Sequence, residues 1–199
     1  ITHVHGDHVF GFPFLLLERK YISDRDGAKP LTVAGSSGVK ERLTQLCDLA
    51  YPGSLDDIIE SINWVDLPDI EGWTMERFEV LHDPEVDPHG WMLTNENGWS
   101  MIHSGDSGPC EELWRRIGMC RFAIVEMAVP EWVNTEHHHK PSDVIELANK
   151  FPNTKIVITH TFIDSDYKIL TKEVPNFPEN VIHGEDNMLF ELDSDGSIC

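Results

Sequence analysis

The sequence predicts an α/β fold in which β-sheets are covered by helices, and three observations predict it. Short apolar runs of strand length alternate with longer runs in which apolar residues recur at helical spacing. Two buried-strand runs, Phe122–Met127 and Ile156–Ile158, flank an amphipathic stretch, Ser142–Phe151, with Val144, Leu147, Ala148 and Phe151 inward. No repeat, low-complexity tract or Pro/Gly/Ser-rich linker divides the 199 residues, a length that suits one domain, 1–199, around one sizeable core. Strands and helices mixed in this way suit a sandwich of sheets better than a pure barrel.

The elements follow in order. Val9–Tyr21 is largely apolar and opens a helix after Gly11 and Pro13. Leu31–Ala34 reads as a short strand before the Gly35-Ser-Ser-Gly38 turn. Val39–Leu49 has helical spacing, with Val39, Leu43, Leu46 and Ala50 on one face. Ser54–Asp57 caps a helix through Ile62, its carboxylates favoured at the N-terminus. Phe78, Val80 and His82 alternate with Glu79 and Leu81, so a strand would set His82 on the Phe78/Val80 face. Trp91–Leu93 and Ser100–His103 flank Asn95-Glu-Asn-Gly98, a hairpin signal. Pro109–Ile117 is helical and closed by Gly118, and Met188–Phe190 reads as a last strand.

Composition excludes several functions. Fifteen Lys and Arg face 35 Asp and Glu, a formal charge of −20, which repels nucleic acid and anionic membrane surfaces alike. The chain is 40% apolar, ordinary for a globular protein, and has no unbroken run long enough to span a bilayer. Cys47, Cys110, Cys120 and Cys199 form no CxxC and no regular spacing, the pattern of free thiols in a reducing, cytoplasmic compartment. The chain opens on Ile1-Thr2-His3 within a strand-like run. The expectation is a longer natural chain, whose upstream part would carry the start of the first sheet and any targeting signal.

The chemistry is concentrated at Thr2-His3-Val4-His5-Gly6-Asp7-His8. On a strand, His3 and His5 point to one side. A turn at Gly6 lets Asp7 and His8 swing toward a neighbouring point, and imidazole with carboxylate suits divalent zinc. A surface His cluster or tag remnant would not bring the Asp, the Gly and the apolar Val9–Pro13 run that follows.

At His3, His5, Asp7 and His8 the sequence resembles the metallo-β-lactamase superfamily, whose hallmark is HxHxDH at a strand end. The continuation His5-Gly-Asp-His-Val-Phe-Gly-Phe-Pro13 resembles its ribonuclease Z and phosphodiesterase-like branch. The resemblance implies an αββα sandwich, two mixed sheets flanked by helices, with a dinuclear metal centre. Later motifs follow in the order it implies. His82, preferred over His89, precedes the Gly90-Trp91 pair. Asp106 stands in Ile102-His-Ser-Gly-Asp106, and His160 closes Ile156-Val-Ile-Thr-His160. The implied ligand sets are His3, His5 and His82 for one ion and Asp7, His8 and His160 for the other, with Asp106 and a water bridging. The cofactors are then two divalent ions, zinc first, with manganese or iron as alternatives. A water between two cations loses its proton near neutral pH and becomes the nucleophile. Asp7 and His139 are the residues given catalytic roles. His139, 21 residues before His160 in Glu136-His-His-His-Lys140, is the expected general acid, with His138 the alternative.

The implied activity is a dinuclear metal-dependent hydrolase acting on a small molecule, a phosphodiester first. An ester, a lactone or an activated haloaromatic is the alternative. An iron redox enzyme and a metal-binding module without turnover stand further off. His5, where the diiron branch would lead one to expect a carboxylate, favours hydrolysis. Ribonuclease Z enzymes commonly carry a tRNA-binding arm between the strand His and the bridging Asp. Here 24 residues separate His82 from Asp106, enough for a hairpin. No nucleic acid or membrane partner is therefore expected, and a homodimer is compatible with the apolar Phe12–Leu17 run. Phe10, Phe12, Trp91 and Phe162 are candidate walls for a compact substrate, or core.

Overall fold

Apolar periodicity and turn chemistry build two compact units, Ile1–Pro68 with Glu85–Asp87, and Asp69–Pro84 with Pro88–Cys199. The computed structural model describes residues 1–27, 29–161, 176–193 and 196.

In the first unit, Ile1–His5 lies in no strand, and the Ile1 nitrogen donates to the Ala34 carbonyl at 2.8 Å. Helix α1 (Gly6–Val9) starts at the first glycine of the histidine motif, and α2 (Phe12–Glu18) has Pro13 in its first turn, where no N–H is needed. A π turn, Arg19–Ser23, continues α2. Strand β1 (Thr32–Ala34) pairs in parallel with β2 (Asn63–Val65), register Val33↔Trp64. Parallel neighbours need a long connection, supplied by α3 (Val39–Ala50) and α4 (Asp56–Glu60). On α3 the buried residues are Val39, Leu43 and Cys47, a strict four-residue repeat. Ala50, expected on that face, is the last residue of the helix and is exposed. These side chains pack with Val9, Phe12, Leu16, Val33, Leu55, Ile58, Ile59 and Ile62.

The second unit is a six-stranded mixed sheet in sequence order: β3 (Trp73–Glu79), β4 (His89–Asn95), β5 (Ser100–His103), β6 (Phe122–Glu126), β7 (Lys155–Thr159) and β8 (Val181–His183). The first three are antiparallel and the last four parallel. The parallel crossovers carry α5 (Glu111–Ile117) and α6 (Pro141–Lys150). Leu113, Ile117, Val144 and Leu147 of these helices are fully enclosed with Ile102, Val125, Ile156 and Ile158. Truncating a side chain so enclosed typically costs roughly 2–5 kcal/mol. Asn180 Nδ2 donates to the carbonyls of Ala148, Phe151 and Thr154, closing the α6–β7 turn.

The mixed sheet with its helices fits the expected α/β class. Two expected elements differ, and of the candidate aromatic walls two are core. β3 ends at Glu79, so His82 sits past the strand, held by the isolated Leu81↔Gly108 bridge. Met188–Phe190 forms no strand, and the last described one is Val181–His183, paired to β7. Phe12 and Trp91 are buried, at 7% and 6% exposure, so they are core rather than substrate walls. Phe10 is exposed, and Phe162 and Cys199 lie outside the described residues. Cys47, Cys110 and Cys120 are free thiols, and burial pushes Cys47 up to about 11 and Cys120 up to about 12.

Candidate metal centre

The first unit gathers four of the expected ligands. His3 is 1% exposed, and the Thr2 hydroxyl lies 3.1 Å from its Nδ1, which fixes the ring. Its Nε2 stands 3.1 Å from His5 Nδ1, and the His3 and His8 rings are 4.1 Å apart. α1 places Asp7 beside His8, with Oδ2 to Nε2 at 3.5 Å. Imidazole nitrogens and a carboxylate at such spacing form the donor set that divalent zinc, manganese or iron takes up.

The second unit gathers the others at the ends of its strands. Gly105, at φ 61°, turns the chain as it leaves β5 and presents Asp106, which is 4% exposed. The Ser104 hydroxyl donates to the Gly105 carbonyl at 2.6 Å, and Glu126 N–H donates back to it at 3.0 Å. His160 follows β7 with φ 52°, a left-handed conformation that an imidazole adopts only against strain, the kind concentrated at functional sites. Its Nε2 is 3.4 Å from Asp106 Oδ2. His82 Nδ1 donates to the His137 carbonyl at 3.1 Å. That bond leaves Nε2 as the ligand nitrogen, the usual outer-sphere device for fixing a metal-binding tautomer. Ligand atoms of His82, Asp106 and His138 all lie within 4.8 Å of one another. His89, the rival of His82, starts β4 opposite Glu79. These donors, like those of the first unit, fit divalent ions.

His138 and His139 separate sharply. His138 is 22% exposed at its side chain and pairs through Nδ1 with Glu126 Oε1 at 3.1 Å, its ring 4.9 Å from that of His82. His139 is fully buried, and both its ring nitrogens are engaged, Nδ1 with the Ser107 carbonyl at 2.6 Å and Nε2 with the Trp114 indole N–H at 3.1 Å. Of the two alternatives, the placement of His139 does not suit an acid that must meet a leaving group, whereas that of His138 does.

Glu126 was not among the expected site residues. It is 1% exposed at the end of β6. Burial pushes its carboxyl above the usual range, while the hydrogen bonds from His138 and from the Ala128 N–H pull it back. The backbone N–H groups of Ser107 and His139 donate to Oε1 as well, at 3.2 and 3.1 Å. The signal in the sequence is an acid closing the otherwise apolar Phe-Ala-Ile-Val-Glu126 run, where a buried charge needs partners.

Two consequences are measurable. A Cβ on Gly108 would lie 1.7 Å from the Glu136 carbonyl oxygen, so the Ser107–Gly108 and Glu136–His139 segments cross only because residue 108 has no side chain. Gly108→Ala is expected to cost at least about 3 kcal/mol, visible as a fall in the urea midpoint. The second concerns acid. Burial pushes the His139 imidazole down from 6.5 to about 4. Between these values the unfolded chain binds a proton that the folded chain does not, so stability is complete above about 6.5 and falls as pH drops toward about 4. The loss amounts to about 3 kcal/mol at the bottom of the window. Urea midpoints measured across it should slope less in His139→Asn, which has no titrating group there.

The comparisons with known proteins agree with this fold. The family described as beta-lactamase superfamily domain matches residues 1–161, and the chain belongs to it. Ribonuclease Z of Pyrobaculum arsenaticum is 23% identical over 193 residues, covering 80% of this chain and 66% of that protein. The metallo-β-lactamase fold protein YhfI from Bacillus subtilis superimposes with a TM-score of 0.68 at 14% identity, over 92% of this chain and 72% of its own. A diphosphatase of the PhnP family does so with a TM-score of 0.64 at 16% identity, over 96% and 70%. The chain spans about half the length of the curated relatives that it matches at 26% identity.

Proposed function

We propose that the chain is a metal-dependent hydrolase of a small phosphodiester, a single hydrolytic domain over 1–199. The observation that carries this reading is the Glu126–His138 pair beside His82 and Asp106: a proton-handling imidazole within reach of metal-type donors. The proposed ligands are His3, His5, Asp7 and His8 from the first unit and His82, Asp106 and His160 from the second. Two divalent ions, zinc first, would offset the charge of a phosphodiester and lower the pKa of a water molecule when bound. Glu126 accepts from His138 Nδ1 and so orients the ring, and His138 is assigned to deliver a proton to the leaving oxygen. Asp7 is assigned as a ligand with a catalytic share, beside His8.

Charge and topology support a small substrate. Two ions more than offset a single phosphodiester, whereas a tRNA presents many phosphates to a protein of −20. The β4–β5 hairpin, turning at Asn95–Gly98, fills the interval where a tRNA-binding arm would be inserted. A homodimer is the proposed assembly, supported by the exposed Phe10, Phe14, Leu15, Tyr21 and Ile22 of the first unit. Among the described residues no helix is long and apolar enough to cross a membrane. A cytoplasmic setting is proposed from the thiol pattern.

The test is turnover by the zinc- and manganese-loaded protein on a panel. It comprises bis(p-nitrophenyl) phosphate, cyclic nucleotides, a lactone, a haloaromatic and a precursor tRNA. Phosphodiester hydrolysis is expected, with no useful cleavage of the precursor at physiological salt. Efficient tRNA cleavage overturns the small-substrate reading, and turnover of the lactone or haloaromatic alone overturns the phosphodiester one.

A further inference from the structure

His139 holds the middle of a closed set of contacts between two loops. One loop carries Asp106 and continues through Ser107 and Gly108. The other carries His138 and enters α6, where Pro141 takes the first helical position and Asp143 Oδ2 accepts the Lys140 N–H at 2.9 Å. Between them, His139 Nδ1 meets the Ser107 carbonyl at 2.6 Å. The Ser107 N–H and the His139 N–H both end on Glu126 Oε1. The Ser107 backbone is thus held at both its N–H and its carbonyl by the pair Glu126 and His139.

The tautomer follows from two partners that each work one way. A carbonyl only accepts and an indole N–H only donates. With Ser107 O at Nδ1 and Trp114 Nε1 at Nε2, the ring is neutral with its hydrogen on Nδ1. The Trp114 ring lies nearly parallel to the imidazole, 16° between planes, so α5 fixes the ring's orientation as well as its tautomer. Asp106 and His138 are each followed directly by a residue of this set, Ser107 and His139. A displacement of the joint therefore displaces the carboxylate relative to the acid.

We propose that His139 is a positioning residue, a neutral imidazole set by Trp114 that fixes the Asp106 loop against the His138 loop. The proposal rests on the hydrolase reading for its catalytic consequence but not for the joint itself. Catalytic groups must be held within about 0.5 Å of productive geometry, and a 1 Å misplacement can cost roughly 10²-fold in rate.

Three variants of the metal-loaded protein test it: His139→Leu, which removes the joint; His139→Asn, whose amide can still donate to Ser107; and Trp114→Phe, which keeps a ring and removes the N–H. The readouts are kcat and KM on bis(p-nitrophenyl) phosphate, and hydrogen–deuterium exchange of residues 104–108 and 136–140. His139→Leu is expected to lower kcat up to roughly tenfold, with KM within about twofold, and to raise exchange in both loops together. His139→Asn should recover most of the loss, and Trp114→Phe should lose a few-fold in kcat with the same paired rise in exchange. Unchanged kcat and exchange in a folded His139→Leu overturns the proposal, as does exchange rising in one loop alone, or an Asn variant no better than Leu. If His139→Leu does not fold, Trp114→Phe decides by the same criteria. If the unaltered protein turns over no phosphodiester, the hydrolase reading fails while the exchange pattern still judges the joint.

Discussion

Asp106→Ala is expected to abolish turnover and empty the metal centre while leaving the fold intact. The carboxylate is 4% exposed, stands 3.4 Å from His160 Nε2, and shares a 4.8 Å neighbourhood with His82 and His138. It is a proposed ligand, so metal held there would depend on it. Loss of several kcal/mol of charge stabilisation corresponds to roughly 10³-fold or more in kcat/KM. The sheet does not depend on it, because Ser104 and Gly105 anchor the loop through their own hydrogen bonds. Without metal, the variant should melt no lower than the unaltered protein. With metal, it should miss the stabilisation that a ligand gives to the folded state alone. Elemental analysis for bound zinc, paired with kcat/KM, checks this; full occupancy and full rate would remove Asp106 from the centre.

The parts of the fold written in side-chain periodicity were legible in the sequence. Val144, Leu147 and Ala148 on α6, and the apolar runs of β6 and β7, lie where their spacing put them. The Asn95–Gly98 turn predicted the β4–β5 hairpin, because a four-residue polar segment with a closing glycine has few other uses between two strands. β2 and β8, of three residues each, carry too short a pattern to separate from loop, and their pairing comes from neighbours distant in sequence. Alternation puts His82 on a strand but says nothing of where the ladder stops, which is at Glu79.

The same distinction governs the site. The expected ligand residues are marked by type and order, so sequence alone names them. The acid is not, since three consecutive histidines differ only in what surrounds them. His139 faces Trp114 and Ser107, and His138 faces Glu126 and His82. Those partners come from α5, β6 and the loop after β5, and no local pattern announces them. Glu126 shows how far a single residue can be read: its burial is foreseeable from the apolar run before it, but its four N–H donors are not.

His138→Ala is expected to keep its metal and lose rate in proportion to how much the leaving group needs a proton. The ring accepts its orientation from Glu126, whose Oε1 is 3.1 Å from Nδ1, and lies 4.9 Å from the His82 ring and 6.2 Å from that of His160. A positioned acid contributes about 10²–10⁴-fold. An alkoxide leaving group should suffer the whole of this, whereas p-nitrophenolate, stable without a proton, should suffer roughly tenfold or less. Glu126→Gln should follow the same order with smaller losses, since the ring remains but its orientation loosens. The comparison separates three roles by measurement. A proton donor gives a loss graded by leaving group with metal retained. A ligand gives metal loss and an equal fall on every substrate. A structural post gives lower stability with kcat per folded molecule unchanged. Equal losses on alkyl and p-nitrophenyl phosphodiesters, with zinc content intact, would remove proton delivery from His138.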